Sequence, residues 1–128
     1  MKRNKRIQFW GRDENDDQLL DQVLEGKKTA TATPSFEYSV PLGEFDDGGY
    51  VIGDLVEVYD LRCNLRCQIR ITEVYETKLA HIPEKLWQGE CNESAEEFKK
   101  DHIYCWSEHC PDDDFEFIVN HFELVKCY

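Results

Sequence analysis

Hydrophobic and polar positions along this chain change period several times, and each change marks an element. Ile7-Gln8-Phe9-Trp10 alternates and consists largely of strand formers. The acidic stretch 13–17 then offers N-cap residues, and Leu19, Leu20, Val23 and Leu24 share one helical face up to Gly26. This spacing predicts a helix over 17–25 that ends at a glycine. Thr29, Thr31 and Thr33 alternate with Ala30 and Ala32 until Pro34, which predicts a short strand with the threonines on one face. Residues 35–49 contain Pro41, Gly43, Gly48 and Gly49 and read as a long loop, a length often reserved for function or motion.

A turn at Gly53-Asp54 leads into a strand within 50–59, and 60–64 reads as the next turn. Residues 67–75 alternate cleanly and predict a long strand with one wet face. Residues 83–87 suit a single helical turn, and 89–92 a loop. Ser94 followed by Glu97 forms a capping box, after which Phe98, His102, Cys105 and Trp106 share a helix face, so a second main helix is expected over 94–107. Cys110-Pro111 and three aspartates stop it. Residues 115–119 and 121–125 alternate and are expected as two closing strands. Several strands and two main helices in mixed order indicate an α+β fold. A sheet this wet on one side must hide its other side, so the strands are expected to curl into a small, mostly antiparallel barrel, in one domain spanning 1–128.

Composition narrows the function. The formal net charge of -12 repels phosphate backbones, which argues against a general RNA or DNA coat protein and leaves room for a small neutral ligand. No DNA partner is expected. No apolar run reaches membrane-spanning length, and the basic start Met1-Lys2-Arg3-Asn4-Lys5-Arg6 is followed by too short an apolar segment for a signal peptide. A cytoplasmic location with no membrane partner is therefore expected, and with it free thiols at the six cysteines, although Cys63 and Cys67 flank a turn and could face each other.

Four groups of residues could carry chemistry. In Gly26-Lys27-Lys28-Thr29-Ala30-Thr31, two lysines follow a helix end and hydroxyls follow on alternate positions. A partly buried lysine there could lose its proton and act as a base or nucleophile. The segment lacks the first glycine of a phosphate-binding loop, and an ordinary helix end before a threonine-rich strand accounts for the same residues. Glu90 precedes the second main helix and could pair with such a lysine for acid–base work. A solvated loop glutamate is the plain alternative in a chain with 27 acidic residues. His102, Cys105, His109 and Cys110 approach metal-ligand spacing but lack a second compact pair. Cys105 is better read as helix core and His102 as a packed, hydrogen-bonded histidine, so neither metal nor cofactor is expected. Among Trp10, Trp87, Tyr104 and Trp106, the two at element ends, Trp10 and Trp87, are the better candidates for stacking on a base.

Phe9-Trp10-Gly11, the leucine-rich helix and the run Val23-Leu24-Glu25-Gly26-Lys27-Lys28-Thr29-Ala30-Thr31-Ala32 resemble the opening of the ASCH-domain family. Residues 50–56, 67–74, 86–98 with His102, and 121–125 resemble its later segments in order, over nearly the whole chain. The resemblance is closer to the longer bacterial branch than to the short amidohydrolases. It implies a PUA-like pseudobarrel with helices around a cleft, and the recognition of RNA or nucleosides; the expected partner is a small nucleoside or a short RNA. One branch of the family hydrolyses the acetyl amide of 4-acetylcytidine with a lysine base, a threonine nucleophile and a glutamate proton donor. Other members are reported as ribonucleases or presumed RNA binders. By this resemblance Lys28 and Thr31 keep the spacing of base and nucleophile, Glu90 or Glu93 matches the glutamate, and Trp10, Gly26, Lys27, Thr29 and Trp87 would line the substrate site. A closed rim of Trp10 and Trp87 is expected to desolvate Lys28. Arg62, Arg66 and Arg70, if they formed a broad basic strip, would favour RNA instead.

Overall fold

The computed structural model describes residues 3–128, within which ten short elements fold around one curled sheet. β1 (Lys5–Gln8) leads through an acidic turn into α1 (Gln18–Leu24). β2 (Ala30–Pro34) follows, then a single 3-10 turn at Ser35–Glu37 and the long loop that was expected here. β3 (Leu55–Tyr59) and β4 (Leu65–Lys78) form a hairpin. α2 (Glu84–Gly89), α3 (Ala95–Cys105), a 3-10 turn at Ser107–His109 and β5 (Glu116–Cys127) close the chain.

The strand order is β1-β3-β4-β5-β2. All neighbours run antiparallel except β1 and β3, which are parallel. The sheet curls into a half-barrel and leaves β1 and β2 at its two edges. The fold is thus the expected α+β, PUA-like one, with a third, shorter helix where a single turn was expected.

The two closing strands expected at 115–119 and 121–125 are one. Nothing between them turns the chain: Asn120 is 1% exposed and sits in the ladder opposite Thr31 and Val74. The irregularities lie elsewhere: the β4–β5 register shifts between Ile71 and Glu73, where β4 carries the extra residue, and between Gln68 and Ile69, where β5 does. Such a bulge bends a long strand and helps the sheet curl.

Each sheet face buries its own apolar cluster. One holds Phe9, Leu20, Val23, Val56, Ile69 and Phe122, and α1 packs there with the Leu20 and Val23 face that its spacing predicts. The other holds Ala30, Leu79, Leu86, Phe98, Trp106 and Phe117, under α2 and α3. α3 starts as expected: the Ser94 hydroxyl accepts the Glu97 N–H at 3.1 Å. Glu97 itself turns to the Asn92 amide, 3.1 Å away. The inward face of α3 is narrower than expected, because Phe98 and Trp106 suffice to fill it; Cys105, read as core, is exposed.

The six cysteines are free thiols. The facing pair considered at Cys63 and Cys67 is not formed, since Cys67 lies in the ladder between Val58 and Cys127. Burial pushes its thiol up to about 12. Three other cysteines, Cys63, Cys91 and Cys110, hold left-handed backbone with φ of 68°, 62° and 48°. No helix among the described residues is long and apolar enough to cross a membrane.

Candidate functional site

Gly26 sets up the site. Its φ of +76° lets α1 end in a tight left-handed turn, in which the N–H groups of Lys27 and Lys28 both donate to the Gln22 carbonyl, at 2.9 and 3.0 Å. The turn swings the chain into β2 and sends the Lys28 side chain inward, to 3% exposure. Its ammonium donates to the Ala30 carbonyl at 2.7 Å and to the Glu90 carboxylate. It lies 5.5 Å from the centre of the Phe9 ring. Glu90 caps α2, and its carboxylate is nearly as hidden as the lysine, at 8% side-chain exposure.

The Glu90 carboxylate is divided between two partners. Oε1 takes Lys28, and Oε2 lies 2.9 Å from Nε2 of His102 on α3. The other ring nitrogen of His102 lies 2.8 Å from the Phe98 carbonyl. Burial alone would raise the Glu90 carboxyl, but the Lys28 charge and the His102 hydrogen bond outweigh it and hold the group well below the usual carboxylate range. Glu93, the other residue considered for this position, is an exposed loop side chain.

α2 reaches this position because Gly89 carries no side chain. Its carbonyl accepts the Thr29 N–H at 2.8 Å. A Cβ at this position would stand 2.8 Å from the Ala30 Cβ, 3.0 Å from the Thr29 hydroxyl and 3.3 Å from the Ala30 nitrogen. Two of those three atoms belong to Ala30, which lies in the ladder and cannot withdraw. Gly89→Ala is expected to lower stability by about 1–3 kcal/mol by overpacking and to push Glu90 away from Lys28. The urea unfolding midpoint checks this; a variant as stable as the parent would show that α2 does not press on β2.

Thr31 is paired with Asn120 in the β2–β5 ladder. Ala30 and Ala32 pack into the α2–α3 cluster, so alternation turns Thr31 to the opposite sheet face, shared by Asn120 and Phe122. The Phe122 ring lies 5.9 Å from Phe9, on which the Lys28 ammonium rests. The Thr31 hydroxyl makes no hydrogen bond to Lys28 or Glu90 in this structure. Beside it the Asn120 amide donates to the Tyr38 hydroxyl at 2.7 Å, and Tyr38 donates to the Tyr50 carbonyl, closing the long loop over this face.

The remaining candidates spread out. Lys27 is exposed and pairs with Glu25 at 3.1 Å. Gly26 is exposed, and the Thr29 hydroxyl lies against Gly89. Trp10 is 64% exposed, next in the chain to Phe9. Trp87 is half-buried against the Ala30–Leu86–Phe98 cluster. Two shallow cavities, of about 270 and 560 Å³, are lined by residues such as Leu79 and Lys99, and Thr77 and His81; neither includes a member of the Lys28 cluster.

Two histidines stand out that sequence reasoning did not assign to this site. His102 was legible as a packed residue of α3, but nothing local marks it as the partner of Glu90. His121, 2% exposed, has Nε2 2.9 Å from the Tyr75 hydroxyl, while its Nδ1 is buried without a partner. Burial lowers its affinity for a proton, with Lys85 acting in the same direction.

The arginines considered for an RNA strip are neutralised. Arg62 pairs with Asp17 at 2.7 Å and Asp60 at 3.2 Å, Arg66 pairs with the same two at 3.5 and 3.3 Å, and Arg70 pairs with Glu123 at 3.1 Å.

The sequence model of the ASCH domain matches residues 5–126. This chain belongs to the ASCH domain family. Its PUA-like fold recurs in solved structures. A protein from Enterococcus faecalis V583, described under the family model DUF984, superposes with a TM-score of 0.76 at 20% identity, over 94% of this chain and 76% of that one. An ASCH domain from Lactobacillus crispatus JV V101 gives 0.73 at 21%, over 94% and 77%. A mutant form of an ASCH protein from Zymomonas mobilis gives 0.53 at 11%, over 95% and 72%. No curated protein sequence matches.

Proposed function

We propose that this ASCH domain binds a nucleoside at the Lys28–Glu90 pair and hydrolyses an exocyclic amide on it, of the kind an acylated cytidine carries. The observation that supports this reading best is the pair itself. Two side chains 62 positions apart meet as buried opposite charges. Such a pair is rarely required for stability, since apolar replacements of similar volume are often neutral or better. Buried carboxylates whose ionisation is strongly perturbed by a charged partner, as Glu90's is, concentrate where chemistry is done.

In this reading the Lys28 ammonium first passes a proton to Glu90 as the ligand enters, and the free amine then takes the proton from Thr31 or a water, whose oxygen attacks the acyl carbon. The acyl C–N bond then breaks, and the departing amine receives its proton through Glu90; an ester formed on Thr31 is released by a second water. Lys28 has its contacts filled by Ala30, Glu90 and Phe9, so the ligand must displace at least one of them. In this reading the exposed Trp10, next in the chain to Phe9, stacks on the base as it enters. The pairing of Arg62, Arg66 and Arg70 with acidic partners weighs against an extended phosphate backbone as the ligand.

The test is a panel of acylated nucleosides, N(4)-acetylcytidine among them, incubated with the pure chain and followed by chromatography. The parent should release the free nucleoside, and Glu90→Gln should not. Binding by calorimetry with no product would reduce the reading to a binding module; neither binding nor product sinks it.

A further inference from the structure

His102 faces an acceptor at each end of its ring. The Phe98 carbonyl can only accept, so Nδ1, 2.8 Å from it, carries a proton. A neutral imidazole has one N–H, and here it is used. Nε2 would then turn a bare lone pair toward a carboxylate oxygen 2.9 Å away, two acceptors at hydrogen-bond distance. That contact holds only with a proton on the line between them, carried by the ring because Lys28 keeps the carboxylate ionised.

We infer that His102 is a third member of the site: a positioning residue that shares one proton with Glu90 along the Nε2–Oε2 line and so fixes the carboxylate against Lys28. The inference rests on reading Lys28–Glu90 as the reactive pair.

The ring is held for this task. It stacks on Phe98 with centroids 3.8 Å apart and planes 18° from parallel, and Trp106 meets it edge-on at 4.9 Å. Its side chain is 15% exposed, so the shared proton has a route to solvent that Glu90 and Lys28 lack. Other ionisable groups act on Glu90 or its neighbours at longer range: Cys91 from the loop after α2, Cys105 and Asp101 from α3, and His121 from β5. Among the described residues, Lys28 and His102 alone make a hydrogen bond or ion pair with its side chain.

Protons balance over the proposed hydrolysis. Lys28 passes an ammonium proton to Glu90 and takes up the proton lost by the attacking hydroxyl or water; as the acyl C–N bond breaks, Glu90 gives its proton to the departing amine while the His102 N–H holds the carboxylate in place. The pair ends the cycle as it began.

Ring nitrogen NMR tests this without any ligand. The chain has four histidines, and couplings from ring to backbone assign each without a variant. In the unmodified chain, ring nitrogen signals should show an N–H at both His102 nitrogens, with the Nε2 proton directed at an ionised Glu90. Glu90→Gln should return the ring to a single N–H. A bare Nε2 beside an ionised Glu90 overturns the inference.

The second arm is H102Q, whose amide can still donate to Oε2 but holds no transferable proton. Turnover found in the parent should fall about 100-fold, as for a misplaced reacting group, with an altered pH profile. Parental rate and profile in H102Q overturn the inference and leave the Lys28–Glu90 reading standing. A parent that neither binds nor turns over a nucleoside sinks that reading, and the spectrum still decides the shared proton.

Discussion

Lys28→Ala is expected to cost about 3–5 kcal/mol of folding stability, the usual penalty for removing one partner of a buried ion pair. The variant leaves the Glu90 carboxylate buried with His102 as its one remaining partner, and leaves the Ala30 carbonyl without its side-chain donor. A double variant separates the two roles. Lys28→Met with Glu90→Leu removes both charges and keeps the volume, so its stability should return to within about 1–2 kcal/mol of the parent, while any nucleoside hydrolysis stays abolished. Chemical denaturation measures both. A Lys28→Ala loss under about 1 kcal/mol would mean that the charges are not buried together.

The sign of the pH dependence follows from Glu90. Its folded carboxyl is held below the ordinary range, so the unfolded chain binds that proton more readily. The stabilisation is therefore present above the unfolded carboxylate value and is lost as pH falls through the folded one.

Asp60→Ala should be nearly as costly, at about 2–4 kcal/mol, from two orphaned backbone donors at roughly 1–2 each. The Asp60 side chain is 1% exposed and organises the turn between β3 and β4. It accepts the backbone N–H groups of Arg62 and Asn64 at 3.0 and 2.9 Å, and the guanidinium groups of Arg62 and Arg66 gather on its other oxygen. Desolvation opposes its charge, but those N–H groups and Arg66 prevail and keep its carboxyl low. Asp60→Asn retains an acceptor for the turn and should lose less than half as much. Thermal unfolding of the three proteins checks the order. Equal losses in the Ala and Asn variants would place the energy in the arginine pairs rather than in the turn.

The parts of the fold that local pattern controls were legible. The Leu20 and Val23 face of α1, the Gly26 stop and the Ser94 cap of α3 each depend on residues within a few positions. The parity of β2 was legible too: Ala30 and Ala32 face the α2–α3 cluster, so an even-numbered Lys28 just before them carries a hint of burial. What local pattern could not show was pairing at a distance. The contact between Glu90 and Lys28 depends on a glycine at 89 and on the ladder between β2 and β5. The partnership of His102 with Glu90 depends on how far α3 leans over the end of α2. Asn120 was hidden for a related reason: a polar residue inside an alternating run looks like a break, until Tyr38 arrives from 82 positions away to accept its amide proton.

The backbone at Cys63, Cys91 and Cys110 has a practical consequence for anyone attaching probes to this protein. Left-handed φ disfavours any residue with a Cβ by about 1–2 kcal/mol, whereas glycine's added freedom in the unfolded chain costs about 0.5–1. Exchanging these three for glycine therefore removes half of the six thiols at little or no loss of stability. Cys67 is too buried to react, and the sites left for a label are Cys105 on α3 and Cys127 at the end of β5. One reports from beside His102 and the other from the far end of the sheet.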